Sequence, residues 1–144
     1  MLLMLLVFVL VVVVDQLAKK LIVARLQEGA YTSANIFGVR LRHVVNRRKP
    51  WGSATAVRIM AVVWLLLSVA ALIVASVIDR SSIYVALGGL IGGATGNLLD
   101  GFSRHAVTDF IDLRVWPVFN VADTAIVAGA VLLLWSALRL RAGV

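Results

Sequence analysis

Four long apolar stretches dominate this chain and restrict what it can fold into. They cover residues 1–23, 57–78, 83–99 and 118–138, and a helix of about 20 such residues spans the hydrocarbon core of a bilayer. The 144-residue chain is 62% hydrophobic, well above the apolar share of a soluble domain. The sequence therefore predicts an all-α integral membrane protein with four transmembrane helices, folded as one membrane domain over residues 1–144.

The first apolar stretch also has the length of a secretory signal peptide. Such peptides begin with basic residues, whereas no charged side chain precedes Asp15 in this sequence. We therefore expect a spanning helix, in which Asp15 and Lys19 are spaced for an ion pair within the helix. That pair either eases the helix out of the membrane or takes a direct part in a site.

The longest polar section, residues 24–56, lies between the first two spans. Residues 39–45 alternate in polarity and Gly38 suits a turn, so we expect a small β-sheet over about residues 31–45. Alternation would place Val39, Leu41 and His43 on one face and Arg40, Arg42 and Val44 on the other. The basic segment 46–50 then either faces lipid headgroups or helps to hold a substrate.

The third span is rich in glycine. Its five glycines are Gly88, Gly89, Gly92, Gly93 and Gly96. Small residues at helical spacing let neighbouring membrane helices approach closely, so this pattern favours tight packing over a ligand channel.

Carboxylates are concentrated in residues 96–123, which hold four of the seven acidic residues. Three of the four lie in an acidic loop predicted between the third and fourth helices, and Asp123 lies near the start of the fourth. Charges beside a hydrocarbon layer are costly and are by default a sign of function. The pattern Asn-x-x-Asp occurs twice there, as Asn97/Asp100 and Asn120/Asp123. Asn120 could also simply cap the fourth helix, with Asp123 near the positive end of the helix dipole. We expect Asp112 and Arg114 to be solvated at the interface.

Composition narrows the chemistry. The chain has a net charge of +7, but it lacks the basic runs interleaved with aromatic residues that nucleic-acid-binding proteins use. We therefore expect its positive charge to be balanced by membrane phospholipids and not by nucleic acid. The chain has no cysteine, and the single histidines His43 and His105 lack metal-ligand spacing. We expect no metal and no cofactor. Two close carboxylates in a medium of low dielectric share a proton and can supply acid and base together.

Four segments, taken in order, resemble the lipoprotein signal peptidase family, also called signal peptidase II. They are residues 15–19 (DQLAK), 96–100 (GNLLD), 107–110 (VTDF) and 119–123 (FNVAD), and the similarity covers nearly the whole chain. The resemblance implies an aspartyl endopeptidase of the bacterial cytoplasmic (inner) membrane, which cleaves diacylglyceryl-modified prolipoproteins before the lipidated cysteine. It implies Asp109 and Asp123 as the catalytic pair. The substrate-binding or site-supporting positions it implies are Asp15, Lys19, Asn46, Asn97, Asp100 and Asn120.

The chain departs from the family pattern in three places. Gly101 follows Asp100 where the family has arginine, residues 47–51 interrupt the motif that begins at Asn46, and the Asp109–Asp123 interval is short. These departures keep open a catalytically altered paralogue that binds lipidated peptides. A proton or ion carrier is a further alternative, although the two halves of the chain do not match as carrier repeats do.

The family resemblance and the distribution of cations imply opposite orientations in the membrane. The resemblance places both termini in the cytoplasm and the sheet and the acidic loop outside, with the active site near the extracytoplasmic face. The positive-inside rule would reverse this, because most of the cations lie on the side of residues 24–56. We adopt the orientation implied by the family. The sequence carries no signal for the oligomeric state.

Overall fold

The computed structural model describes residues 1–32, 39–47 and 53–142, and within these it contains four long helices and one two-stranded sheet. In chain order they are α1 (Leu2–Arg25), β1 (Arg40–Asn46), α2 (Ala54–Val77), α3 (Ser81–Arg104), β2 (Val107–Asp112) and α4 (Val121–Arg141). All four helices are long and apolar enough to cross a membrane. The predicted fold class, four spanning helices with a small sheet, is confirmed.

Helix α3 lies at the centre of the bundle. It packs against α1, α2 and α4, and most of its length is buried inside the protein, whereas the other three helices are largely exposed to their surroundings. Glycine makes this possible. A Cβ atom at Gly88 would lie 2.6 Å from the carbonyl oxygen of Met4, and one at Gly96 would lie 2.6 Å from Asp15 Oδ2. The close packing predicted for the third span is therefore observed.

The sheet joins the two polar sections of the chain. Strand β1 pairs antiparallel with β2, with Val44 opposite Asp109 and Asn46 opposite Val107. Tyr31 adds a single bridge to Arg42. The second strand of the predicted sheet thus comes from residues 107–112, which the sequence assigned to an acidic loop. Gly38 and the predicted turn lie outside the described residues.

A β-bulge between Leu41 and Val44 changes the faces of β1. Arg40 pairs with Asp112 and Val44 pairs with Asp109, and residues three apart on β2 point to opposite faces. Arg40 and Val44 therefore lie on opposite faces, although simple alternation predicted the same face. The bulge inserts one extra residue into β1, and a prediction that assumes strict alternation does not account for it.

Two helix ends also differ from the prediction. Helix α3 continues to Arg104 instead of ending at residue 99, so Asp100 is a buried helical residue rather than part of a loop. Helix α4 begins at Val121 instead of residue 118, because Asn120 caps it. Beyond α3, His105 adopts the left-handed conformation that ends many helices, with φ of 52°.

The polar sections meet at one end of the bundle. A hydrogen bond of 2.9 Å from Ser136 Oγ to Ser82 Oγ joins the later part of α4 to the start of α3 at the opposite end. The sheet, the end of α3 and the start of α4 therefore share the end that carries the acidic residues.

Candidate active site

Two asparagine amides connect the carboxylates of Asp109 and Asp123. Asn120 Nδ2 donates to Asp109 Oδ1 at 2.8 Å and to Asn97 Oδ1 at 3.1 Å. Asn97 Nδ2 in turn donates to Asp123 Oδ1 at 2.8 Å. Residues from α3, β2 and the start of α4 thus converge on one pair of carboxylates.

A capping box fixes the Asp123 side of the pair. Asn120 Oδ1 accepts from the Asp123 amide at 2.8 Å, and Asp123 Oδ2 accepts from the Asn120 amide at 3.2 Å. The predicted cap is therefore present, and it does not compete with a catalytic role. The Asp123 Oδ1 atom faces Asn97, and the positive end of the α4 dipole stabilises this carboxylate.

A buried ammonium group lies behind the pair. Lys19 Nζ is 2.7 Å from Asp15 Oδ2 and 3.2 Å from Asp100 Oδ2, and it donates to Asn97 Oδ1 at 3.0 Å. Lys19 and Asp15 are only 1% and 0% exposed, which rules out a simple helix-exit pair in solvent. Such charges are stable in the interior only because they are paired and hydrogen-bonded.

This cluster sets the orientation of the Asn97 amide. Its Oδ1 accepts from both Lys19 and Asn120, and neither donor can accept in return at that contact. The amide nitrogen must therefore point toward Asp123. Lys19 contacts neither catalytic candidate in the described hydrogen bonds. It orients Asn97, and its charge also acts to lower the pKa of Asp109.

The same cluster holds the surrounding elements together. Asp15 Oδ1 accepts from the Ala122 amide at 2.9 Å, which ties α1 to the first turn of α4. Asp100 Oδ2 accepts from the Thr108 amide at 3.2 Å, which ties α3 to β2 next to Asp109. Each buried carboxylate thus fixes the backbone beside one member of the pair.

Burial changes the ionisation of Asp109. Desolvation raises the pKa of this carboxyl group to about 6, and the nearby Asp123 charge adds to the rise. Hydrogen bonds from Asn46 Nδ2, at 3.2 Å, and from Asn120 act in the opposite direction. Asp109 therefore retains a proton to a higher pH than an ordinary aspartate does.

All eight side chains selected from the sequence lie in this one connected network. They are Asp109, Asp123, Asp15, Lys19, Asn46, Asn97, Asp100 and Asn120. Sequence reasoning missed Gln16, whose Nε2 contacts Asp15 Oδ2 and the Gly96 carbonyl at 3.2 and 3.1 Å. It also missed Thr108. Both could have been noted from their places in the DQLAK and VTDF segments, but the contacts that they make with Asp15, Gly96 and Asp100 depend on the fold.

The interfacial prediction for Asp112 is wrong. Asp112 is buried rather than solvated, since its Oδ2 binds Arg40 at 2.7 Å and its Oδ1 accepts from the Arg114 amide at 2.8 Å. The Arg40 bond lowers the pKa of Asp112 below its ordinary value. His43 is also buried. The burial of Asp112 and of His43 follows from the pairing of β1 with β2. Arg114 itself is exposed, as predicted.

An apolar groove of about 380 Å³ opens beside Asp123. Its walls are Leu113, Trp116, Phe119, Thr124, Val127 and Ala128. An apolar group bound in this groove would therefore lie next to the carboxylate of Asp123. Among the described residues, no three histidine, aspartate or glutamate side chains are placed to hold a metal ion. The chemistry available from the described side chains is that of paired carboxylates and amides.

Residues 7–139 match the model of one protein family, described as signal peptidase (SPase) II. A protein from Syntrophomonas wolfei called lipoprotein signal peptidase is 40% identical over 129 residues, covering 88% of this chain and 87% of that protein. A protein of the same name from Halothermothrix orenii is 34% identical over 132 residues, covering 89% and 90%.

Solved structures give the same fold. A bacterial membrane enzyme determined at 1.9 Å resolution by the in meso method is similar to this chain with a TM-score of 0.82 and 25% identity. The alignment covers 94% of this chain and 92% of the enzyme. A second such structure, at 2.3 Å and 24% identity, has the same TM-score.

Proposed function

Because this chain belongs to the signal peptidase II family and removes the signal peptides of prolipoproteins, we propose that Asp109 and Asp123 are the catalytic pair of this reaction. The reaction would then be that of an aspartic endopeptidase. It would cut diacylglyceryl-modified precursors before the lipidated cysteine.

One observation supports this proposal above the others. The two carboxylates are held by a shared pair of amides, Asn97, which the buried Lys19 orients, and Asn120, which the capping box orients. If Asp123 only capped α4, it would not need a connection through two amides to a second buried carboxylate, that of Asp109. Preorganised carboxylates of this kind suit proton transfer in a site of low dielectric.

The two aspartates have different environments, which suggests their roles. Asp109 has a raised pKa and would carry the proton, which it donates to the oxygen of the scissile carbonyl. Asp123, at the α4 N-terminus, would remain ionised and take a proton from the attacking water. The water oxygen bonds to the carbonyl carbon, which gives a gem-diol. The proton held on Asp123 then passes to the leaving amide nitrogen as the C–N bond breaks, and one gem-diol hydroxyl returns its proton to Asp109 as the C=O bond of the new carboxyl group forms.

The surroundings of the pair suit a lipidated, apolar substrate. The groove lined by Trp116, Phe119 and Val127 borders Asp123 and would receive apolar parts of the precursor. Asn46, at the end of β1, contacts Asp109 and would hold that carboxyl group toward the scissile bond.

The protein is a multi-pass membrane protein, and we place it in the bacterial cytoplasmic membrane with the sheet outside. This orientation brings the catalytic end of the bundle to the face on which exported precursors arrive.

The test is cleavage of a purified diacylglyceryl-modified prolipoprotein by the purified protein, with the products identified by mass spectrometry. We expect one cut immediately before the lipidated cysteine, and no cut with Asp109→Asn. Asp112→Asn is the matched control, because Asp112 lies on the same strand and pairs with Arg40 instead of the site. Binding of the precursor without any cut by the wild-type protein would show the altered, peptide-binding paralogue instead.

A further inference from the structure

The sheet carries a second groove, on the face away from Asp109. Its volume is about 450 Å³, and its walls include His43, Val45 and Arg47 from the end of β1, Arg104 from the end of α3, and Ala106 and Thr108. Thr108 and Asp109 are consecutive on β2, so their side chains point to opposite faces. This groove therefore takes no part in the reaction described above.

His43 leaves a buried polar atom in the wall of this groove. Its Nδ1 lies 2.8 Å from the Leu26 carbonyl oxygen, which can only accept, so Nδ1 carries a hydrogen. The residue is 6% exposed, and Nε2 has no hydrogen-bond partner among the described residues. A buried ring nitrogen without a partner is unfavourable, and a bound group would relieve it. With Nδ1 donating, Nε2 can accept a hydrogen bond from a bound group.

The charge of the groove favours an anion. Arg104 donates to Thr108 Oγ1 at 3.2 Å and forms no ion pair with a carboxylate of the described residues. Arg47 is paired with Glu28, at 2.6 and 3.1 Å, on an exposed side. Glu28 is thus the one acidic group that offsets these cations among the described contacts. An arginine with free donors beside a buried imidazole is suited to a phosphate group.

The position of the groove identifies the source of the phosphate. Val23 in its wall lies near the end of α1, and Arg104 is the last residue of α3, so the groove opens where two spanning helices end. Lipid headgroups occupy that depth, and the apolar part of the wall suits the glycerol region beneath them. We propose that this groove binds the phosphate of an anionic phospholipid headgroup.

Such binding would hold the sheet to the membrane surface. Strand β2 carries Asp109 and strand β1 carries Asn46, so a lipid bound to the back of the sheet fixes both relative to the bilayer. The expected consequence is faster cleavage in membranes that contain anionic lipid. This consequence depends on the proposed catalytic pair, whereas the binding itself does not.

The binding test uses the detergent-solubilised wild-type protein, titrated with phosphatidylglycerol or with phosphatidylcholine and followed by native mass spectrometry. Both lipids carry the phosphate, but phosphatidylcholine adds a quaternary ammonium that Arg47 and Arg104 repel, so we expect a preference for phosphatidylglycerol of roughly tenfold. His43→Asn retains a donor for the Leu26 carbonyl but lacks Nε2, and Arg104→Gln removes the charge. Both should lose most of the preference, and Arg25→Gln, an exposed cation at the end of α1 outside the groove, should keep it.

Three results would overturn the assignment. The first is equal binding of the two lipids, and the second is an undiminished preference in both groove variants. The third is a loss of preference in Arg25→Gln as large as that in Arg104→Gln, because this would show that only diffuse surface charge attracts the lipid. Displacement of the lipid by excess inorganic phosphate would assign the groove to free phosphate. Because no substrate is present, a failure of this test is distinguishable from a failure of the catalytic pair. Equal cleavage rates by the wild type in the two lipids would contradict the link to catalysis.

Discussion

At the scale of single residues, the most informative side chain is Asn97. Asn97 is uncharged, yet it links the position of Lys19 to that of Asp123. Its side-chain oxygen accepts from Lys19 and Asn120, so its side-chain nitrogen must point toward Asp123. An amide flipped at this position would lose the contacts with both Lys19 and Asp123. The side chain was selected from the sequence through its GNLLD segment, but its role as a link depends on Lys19, some eighty residues earlier in the chain.

The ionisation of Asp109 gives a prediction at the same scale. If Asp109 is the acid, kcat/KM should fall as pH rises through its pKa of about 6, because the required proton is lost. The bond from Asn46 lowers this pKa, so Asn46→Ala should raise it and move the falling limb to higher pH. The measurement is the pH dependence of kcat/KM for both proteins.

Arg42→Gln is the control for this shift, because Arg42 is exposed on the same strand and has no hydrogen bond to Asp109 among those described. Its falling limb should coincide with that of the wild type. A limb that stays in place in Asn46→Ala, or moves to lower pH, would show that Asp109 is not the titrating acid.

At the scale of elements, the spanning helices were predictable and the sheet was only half predictable. Apolar length identifies a membrane helix wherever it occurs, so the four spans were found with end errors of a few residues. Strand β2 was missed because VTDFID carries two carboxylates, and its burial is supported by partners that are distant in sequence, such as Arg40 and Asn120. The bulge in β1 was missed for a related reason, since pairing with β2 defines it.

The Lys19 cluster is the main polar link between elements, and this leads to a second prediction. Lys19→Met would leave Asp15 and Asp100 buried without their cation, at a cost of about 3–5 kcal/mol in the free energy of unfolding. Thermal unfolding in detergent should show a large fall in Tm. Lys20→Met is the matched control, because Lys20 is exposed and adjacent, and its Tm should stay near that of the wild type. Equal Tm values for the two variants would mean that the cluster does not stabilise the fold.

At the scale of the whole molecule, the bundle has a polar end and an apolar end. The sheet, both catalytic candidates and the groove with His43 lie at the polar end, while α3 provides a buried axis through the bilayer. The orientation of this axis is where charge counting and family resemblance disagree. Several cations at the polar end are paired with acids, among them Lys19, Arg40 and Arg47.

The orientation gives a third prediction, which the cysteine-free chain makes simple to check. Single cysteines can replace Val115, which is 92% exposed near the sheet, and Ser81, which begins α3 at the other end. A membrane-impermeant thiol reagent added to spheroplasts should label position 115 and leave position 81 unlabelled until the membrane is opened. The reverse pattern would favour the positive-inside count.

The most direct test of the central claim is whether Asp109 and Asp123 act as one unit. We would measure single-turnover cleavage by Asp109→Asn, Asp123→Asn and the double variant, each checked for folding by its Tm. Groups that act together are strongly non-additive, so each single variant should lose roughly 10⁴-fold or more and the double variant should lose no more than either. Substantial turnover by Asp109→Asn, or losses that multiply in the double variant, would contradict a shared catalytic pair.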